Sequence, residues 1–203
     1  MLIARDEVRP RQRDFWPEAA TGPGRNQGDP VFFAVQPDTA AGGEFRRLAW
    51  EFCDRHELRA APIDRRCLHA TLLGVGVYQS MSPEHLLAVR QVAATVVLPR
   101  FSAGFDWVER FVGPRPPALA ATGDDGVFGL RRLQAALVAA LRNAGFTVPQ
   151  RPYRPHVTLL YAEHSIPEQR IEAIRWPVRE FVLIRSHFGR GRHTVLDRWP
   201  LGG

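Results

Sequence analysis

The sequence predicts an α+β fold of two pseudo-symmetric lobes, each an antiparallel-rich β-sheet flanked by helices. One observation is that short apolar runs alternate with segments of helical spacing throughout residues 30–203. A second is that a helix followed by a strand with the tetrad His-x-Thr-Leu occurs at 40–75 and again at 130–161. A single duplication of this helix–strand unit accounts for the pattern. The functional site is therefore expected in the cleft between the two lobes.

In the first lobe the elements follow from apolar spacing and from helix caps. Phe45, Ala49 and Phe52 recur at helical spacing and predict a helix. Ser82 followed by Pro83 is typical of a helix start, because serine caps free amides and proline fits the first turn. The predicted elements are a strand at 31–36, a helix at 40–58, a strand at 66–75, a helix at 83–94, and strands at 96–105 and 108–112.

In the second lobe the clearest element is an amphipathic helix. Leu133, Leu137 and Leu141 share one face of it, and Gly145 is its stop signal. Ser165 with Glu168 matches a capping box and predicts a short helix that ends near residue 174. The predicted elements are a turn at 113–117, a strand at 118–121, a helix at 130–143, a strand at 156–161, this short helix, and strands at 178–186 and 193–197.

The N-terminal segment differs in composition from the rest of the chain. Residues 1–29 are rich in Arg, Pro and Gly and are predicted to form an arm. Residues 30–203 are predicted to form a single bilobal domain. A solvated extension is the favoured interpretation of the arm, and a tail that grips RNA is the alternative.

Composition excludes several kinds of chemistry. The net charge is +6, and all 27 basic residues are Arg. A lysine Schiff base and the lysine of a phosphate-binding P-loop are therefore excluded, and any cation that contacts a phosphate must be a guanidinium. Cys53 and Cys67 are too few for a structural zinc site or a disulfide framework. No metal and no cofactor is predicted.

Other features concern where the protein acts. The chain has no run of about 18 apolar residues that would predict a transmembrane helix, and its first residues lack the apolar core of a signal peptide. We therefore predict a cytoplasmic monomer that does not act at a membrane.

The two tetrads carry the chemistry. His69 and Thr71 share one strand face because side chains alternate with period two, and the same holds for His156 and Thr158. Two facing imidazoles can act as base and acid on a phosphodiester, while the two hydroxyls hold its oxygens. Unperturbed imidazoles would give a bell-shaped pH profile between about pH 5 and 8. The alternative is a purely structural role, in which the two strands are half-buried and their His and Thr side chains form only local hydrogen bonds.

With these paired motifs the chain resembles the two-histidine (2H) phosphoesterase superfamily, which includes the 2′-5′ RNA ligase-like proteins. Residues 31–37, 151–159 and 181–186 resemble the family's opening strand, its lead into the second motif and its late strand. The resemblance implies a metal-independent hydrolase that opens 2′,3′-cyclic phosphates to leave a 2′-phosphate, with 2′-5′ ligation as the reverse reaction. RNA ends or cyclic nucleotides are the expected substrates. Related proteins often have a basic residue shortly after the second motif, where this chain has Leu-Tyr-Ala-Glu at residues 160–163.

Further site residues are expected next to the second motif. Arg151 and Arg154 are candidate phosphate or RNA contacts, and solvated charges on a loop are the alternative. Tyr153 and Phe33 are candidate stacking partners for a base, and core or edge packing is the favoured interpretation of Phe33. Tyr161 lies on the opposite face from His156 in a regular strand, and this favours a core role unless a bulge intervenes.

Two functional alternatives remain open at this point. One is a module that binds nucleotides or RNA without turnover. The other is a phosphodiesterase for a small non-RNA metabolite such as ADP-ribose 1″,2″-cyclic phosphate. The residues alone do not decide which histidine is acid and which is base, and our choice is His156 as base and His69 as acid.

Overall fold

The computed structural model describes residues 28–111, 117–150, 152–164 and 166–202. The predicted arm, apart from Gly28 and Asp29, and most of the predicted turn at 113–117 lie outside these residues. The helices are α1 (Thr39–Arg55), α2 (Pro83–Ala94) and α3 (Phe128–Asn143). The strands are β1 (Pro30–Val35), β2 (Ala70–Val77), β3 (Phe101–Phe111), β4 (Ala118–Thr122), β5 (His156–Tyr161), β6 (Gln169–Val178), β7 (Glu180–His187) and β8 (Arg192–Pro200).

The strands of the described residues form one sheet in the order β6-β3-β4-β5-β2-β1-β7-β8, with every neighbouring pair antiparallel. Its two halves have four strands each and meet where β2 pairs with β5 at Ala70 and Val157. The units β1-α1-β2 and β4-α3-β5 repeat one another across this junction. The predicted α+β class and the duplicated helix–strand unit are confirmed.

The main core lies between the helices and one face of this sheet. On α1, Phe45 and Phe52 are almost fully buried, and Phe45 packs edge-on against Trp176 of β6 at 5.8 Å. On α3, Leu133 and Leu137 are fully buried. Because helices cover this face, the chemistry is left to the opposite face.

The predicted helix caps are confirmed at two positions. The hydroxyl oxygen of Ser82 accepts a hydrogen bond from the backbone amide of His85 at 3.1 Å, and α2 begins at Pro83. Gly145, just beyond α3, has a φ of +87°, a left-handed conformation that glycine adopts without strain.

Three predicted boundaries or elements are wrong. The strands expected at 96–105 and 108–112 are the single strand β3, in which a bulge between Phe105 and Trp107 interrupts the alternation. The helix expected to end near residue 174 is instead β6, because pairing with β3 and burial of alternate residues override the local capping pattern. The first motif strand starts at Ala70, since Arg65–Cys67 form a 3₁₀ turn.

The end of the predicted arm is attached to the domain. The carboxylate of Asp29 accepts hydrogen bonds from the guanidinium of Arg185 at 2.7 Å and from the backbone amide of Phe188 at 3.0 Å. These bonds lower the pKa of Asp29, the amide bond contributing most. No helix in the described ranges is both long and apolar enough to cross a bilayer.

Candidate active site

The junction of the two half-sheets brings the tetrads together. Ala70 of β2 pairs with Val157 of β5, and both are fully buried against the helices. Paired residues of an antiparallel ladder face the same side, and their chain neighbours face the other. All four tetrad side chains therefore lie on the helix-free face, where each is half-buried: His69, Thr71, His156 and Thr158.

The two imidazoles are held in the same way. Nδ1 of His69 lies 2.7 Å from the carbonyl oxygen of Cys67, and Nδ1 of His156 lies 3.0 Å from the carbonyl oxygen of Arg154. Each carbonyl belongs to the residue two positions earlier in the chain. Since a carbonyl only accepts, Nδ1 must carry the hydrogen, which leaves the lone pair of the neutral ring on Nε2. Both histidines thus have the tautomer that a base acting through Nε2 requires.

An aromatic ring packs beside each imidazole. Phe32 of β1 stacks on His69 with ring centroids 4.9 Å apart, and Phe111 of β3 lies 5.1 Å from His156. These contacts restrict rotation of the two imidazoles. They also exclude water from the rings, and this disfavours the protonated, charged form of each imidazole.

Burial makes both imidazoles hard to protonate. It lowers the pKa of His69 below its ordinary value, and the hydrogen bond to Cys67 only partly offsets this. It lowers the pKa of His156 to about 4, with smaller contributions from the charges of His69 and Arg154. The contribution of His69 to the pKa shift of His156 indicates that the two histidines are close enough to interact electrostatically. In the free protein at neutral pH both rings are therefore neutral.

A charged network supports the His156 side of the site. The guanidinium of Arg154 pairs with both carboxylate oxygens of Glu109, and the hydroxyl of Thr122 donates to Glu109 at 2.5 Å. Glu109 and Thr122 are both buried. The same guanidinium lies 5.2 Å from the ring of Phe111. Arg154 is predicted as a phosphate contact. In the structure its guanidinium pairs with Glu109, and its backbone carbonyl accepts a hydrogen bond from His156.

Two of the other predicted contacts have different surroundings from those expected. Phe33 is fully buried against Phe181 and Trp199, so the favoured core packing is confirmed and its candidate role as a stacking partner for a base is wrong. Alternation explains this, because Phe32 and not Phe33 points to the tetrad face. The hydroxyl of Tyr153 donates to the backbone carbonyl of Thr71 at 3.0 Å, and burial raises its pKa. Arg151 lies outside the described residues.

Sequence reasoning missed several residues of this face. Glu109 follows the buried Val108 on β3, and an acid within an apolar strand was the available signal. Phe32 and Thr122 gave no comparable signal. His193 of β8 lies 5.1 Å from His69, although nothing in its local sequence points to the site. In the described part of the chain, no group of three or more His, Cys, Asp or Glu side chains is arranged to hold a metal ion.

Comparison with known families agrees with this geometry. A family model described as the 2′-5′ RNA ligase superfamily matches residues 37–190, which include both tetrads. The chain belongs to the 2′-5′ RNA ligase superfamily. The resemblance to 2H phosphoesterases inferred from the paired motifs is thereby confirmed.

A curated relative and several solved structures resemble the chain over nearly their whole length. An RNA 2′,3′-cyclic phosphodiesterase of Escherichia coli (strain K12) is 28% identical over 182 residues, covering 84% of this chain and 96% of that protein. The crystal structure of E. coli LigT complexed with 3′-AMP has a TM-score of 0.70 at 26% identity, covering 86% of this chain and 99% of that one. A Thermus thermophilus protein, TT0787, shares the fold, at 22% identity and a TM-score of 0.70 over 86% of this chain and 98% of that one.

A bulge changes the position of Tyr161, which follows the second motif. Ala120 pairs with Thr158 but Leu119 pairs with Leu160, so Leu159 is the extra residue. Leu159 and Leu160 are both fully buried, and the alternation after them returns Tyr161 to the face of His156. Its side chain is 43% exposed. The favoured core role of Tyr161 is therefore wrong.

Proposed function

We propose that this protein is a metal-independent phosphodiesterase that opens 2′,3′-cyclic phosphates on RNA ends or nucleotides. The observation that carries the proposal is the pairing of Ala70 with Val157, which puts two imidazoles and two threonine hydroxyls on one face. The name of the E. coli relative supports the choice of a cyclic phosphate as substrate. A strained cyclic diester needs only water, a base and an acid to open.

In the proposed mechanism His156 is the base and His69 the acid. Nε2 of His156 takes a proton from water as the water oxygen bonds to phosphorus. The bond from phosphorus to the ribose 3′ oxygen breaks, and His69 protonates that oxygen, leaving a 2′-phosphate. Thr71 and Thr158 donate hydrogen bonds to the non-bridging oxygens. Each proton transfer accounts for about 10²- to 10⁴-fold in rate.

The surroundings of the two rings favour this division of roles. Arg154 places a cation near His156 and contributes to lowering its pKa, so that ring stays neutral. A neutral ring is what a base needs. His69 makes the matching carbonyl contact, and Arg154 is not among the groups that perturb it.

The test is a substrate screen in the presence of EDTA. Purified protein is incubated with 2′,3′-cyclic mononucleotides, with oligonucleotides that end in a cyclic phosphate, and with 2′-5′ linked dinucleotides. We expect hydrolysis of cyclic phosphates at an undiminished rate in excess chelator. Activity lost in EDTA and restored by Mn²⁺ or Zn²⁺ would mean that the histidines are metal ligands. Binding without turnover of any of these compounds would support the ligand-binding alternative.

The threonine hydroxyls yield a second prediction. Thr71→Val and Thr158→Val keep the side-chain shape but remove a hydrogen-bond donor to the phosphate, so each should lower kcat/KM by about tenfold. The limbs of the pH profile should not move, because the proton-transferring groups remain. Steady-state kinetics at several pH values checks this. Thr95→Val, on the helical side of the molecule, is the control and should have wild-type kinetics.

The pKa shifts yield a third prediction, which revises the profile expected from unperturbed imidazoles. The base must be neutral, so kcat/KM falls as pH drops through about 4, the pKa of His156. The acid must be protonated, so kcat/KM also falls as pH rises through the pKa of His69, which lies below 6.5. The bell should therefore be displaced to the acidic side of neutrality. A profile that stays flat from about pH 5 to 9 would rule out His69 as the acid, and kcat/KM that does not fall as the pH drops through about 4 would rule out His156 as the base.

A further inference from the structure

A third histidine stands beside the catalytic pair. The ring of His193, on β8, meets the ring of His69 edge-on, with centroids 5.1 Å apart and planes at 69°. It also contacts Phe32, the ring that stacks on His69, at 5.9 Å. On the other half-sheet, the ring of His156 contacts Phe111 and the backbone carbonyl of Arg154.

Cys67 ties the two rings to one another. Its carbonyl oxygen holds Nδ1 of His69, and its thiol donates to the carbonyl oxygen of Gly191 at 3.2 Å, at the start of β8. His69 lies two positions after Cys67, and His193 lies two positions after Gly191. The separation of the two imidazoles is thus constrained by the hydrogen bond between the Cys67 thiol and the backbone carbonyl of Gly191.

The His193 ring has polar atoms that the fold does not use. Its Nδ1 is buried without a hydrogen-bond partner, and the ring makes no hydrogen bond to any of the described residues. An unpaired buried polar atom costs about 1–3 kcal/mol, whereas phenylalanine would fit beside Phe32 without that cost. Stability therefore does not explain a histidine at this position.

The unused donor is Nε2. Burial, followed by the charges of His69 and His187, lowers the pKa of His193 to about 4, so the ring is neutral at physiological pH and carries one hydrogen. Nδ1 is enclosed, and a lone pair there costs less than an unpaired N–H. Nε2 is not among the enclosed unpartnered atoms, so the hydrogen on Nε2 can meet a ligand.

We propose that His193 is a third histidine of this site and that its Nε2–H donates a hydrogen bond to the nucleoside part of the substrate. The proposal rests on the proposed function. His69 precedes β2, which stands between β5 and β8 in the sheet, and its ring lies 5.1 Å from that of His193, so His69 lies between His156 and His193. With the phosphate between His69 and His156, a donor beyond His69 meets the group attached to the leaving oxygen, which is the ribose or its base.

The test compares two cyclic phosphates that share the strained ring. Adenosine 2′,3′-cyclic phosphate carries a nucleoside, and glycerol 1,2-cyclic phosphate does not. His193→Phe keeps an aromatic ring but removes the donor. We expect it to lower kcat/KM about tenfold for the nucleotide, mainly through KM, and to leave the glycerol compound unaffected. His193→Asn, which retains a donor, should recover part of the loss, and His164→Ala, at an exposed histidine, should change neither substrate.

Other outcomes would overturn the proposal. Equal losses on both substrates would place the contact at the phosphate or at His69, and no loss on either would leave His193 without a ligand role. Thermal unfolding of each variant shows that the fold is kept. If the wild-type protein turns over neither compound, the proposed function fails. Calorimetric titration with adenosine 2′-monophosphate and with inorganic phosphate then tests the His193 contact separately. His193→Phe should weaken binding of the nucleotide and leave binding of phosphate unchanged.

Discussion

His69→Ala and His156→Ala should each reduce kcat/KM for a 2′,3′-cyclic nucleotide by about 10²- to 10⁴-fold, because each removes one of the two proton-transferring groups. Both rings are half-buried on the open face of the sheet, outside the core between sheet and helices, so the fold should survive. Steady-state kinetics measures the loss, and circular dichroism with thermal unfolding checks the fold.

The double variant separates a catalytic pair from two independent contributions. If base and acid act as a unit, His69→Ala with His156→Ala should be little worse than either single change. His164→Ala is the matched control, since its side chain is exposed and lies three residues after β5. Turnover near wild type in either single variant would disprove the two-histidine mechanism.

Glu109→Gln should affect both stability and activity. The change removes the charge that pairs with Arg154, whose side chain is only 29% exposed, and leaves a half-buried guanidinium without its counter-charge. Breaking a buried pair from one side costs about 3–5 kcal/mol, and partial exposure of Arg154 reduces this to about 2 kcal/mol. Displacement of the Arg154 carbonyl that holds His156 should lower kcat/KM by up to about 100-fold.

Urea unfolding and kinetics on one preparation test this expectation. Glu180→Gln is the matched control, because Glu180 pairs with Arg198 at the surface, where the side chains are 44% and 53% exposed. An exposed pair contributes about 0–1 kcal/mol, and activity should stay at the wild-type level. Equal effects of the two substitutions on kcat/KM would show that the Glu109 network does not position His156.

Local sequence patterns determined much of the architecture. Ser82 and Pro83 predicted the start of α2, the leucines of α3 predicted its buried face, and the second motif strand has the predicted bounds His156–Tyr161. These features depend on residues a few positions apart, whose side chains cap, pack or alternate whatever the rest of the chain does.

Where local patterns conflict with strand pairing, the pairing prevails. The capping pattern before residue 174 predicted a helix, but β6 forms because β3 provides a partner along most of its length. The bulge at Leu159 turns Tyr161 to the sheet face that carries the tetrads, and no residue in that stretch predicts a bulge. Strand register depends on a partner distant in sequence, so a single sequence does not reveal it.

The sequence by itself determined the two tetrads, and with them the residues proposed to act on a phosphate. Only the tertiary structure decided what surrounds them. Phe32 of β1 and His193 of β8 contact the ring of His69, and Glu109 of β3 pairs with Arg154. Phe33 is turned away by the alternation of β1. The reason is physical: side chains on neighbouring strands lie about 5 Å apart whatever their separation in sequence, so pairing of strands assembles the site.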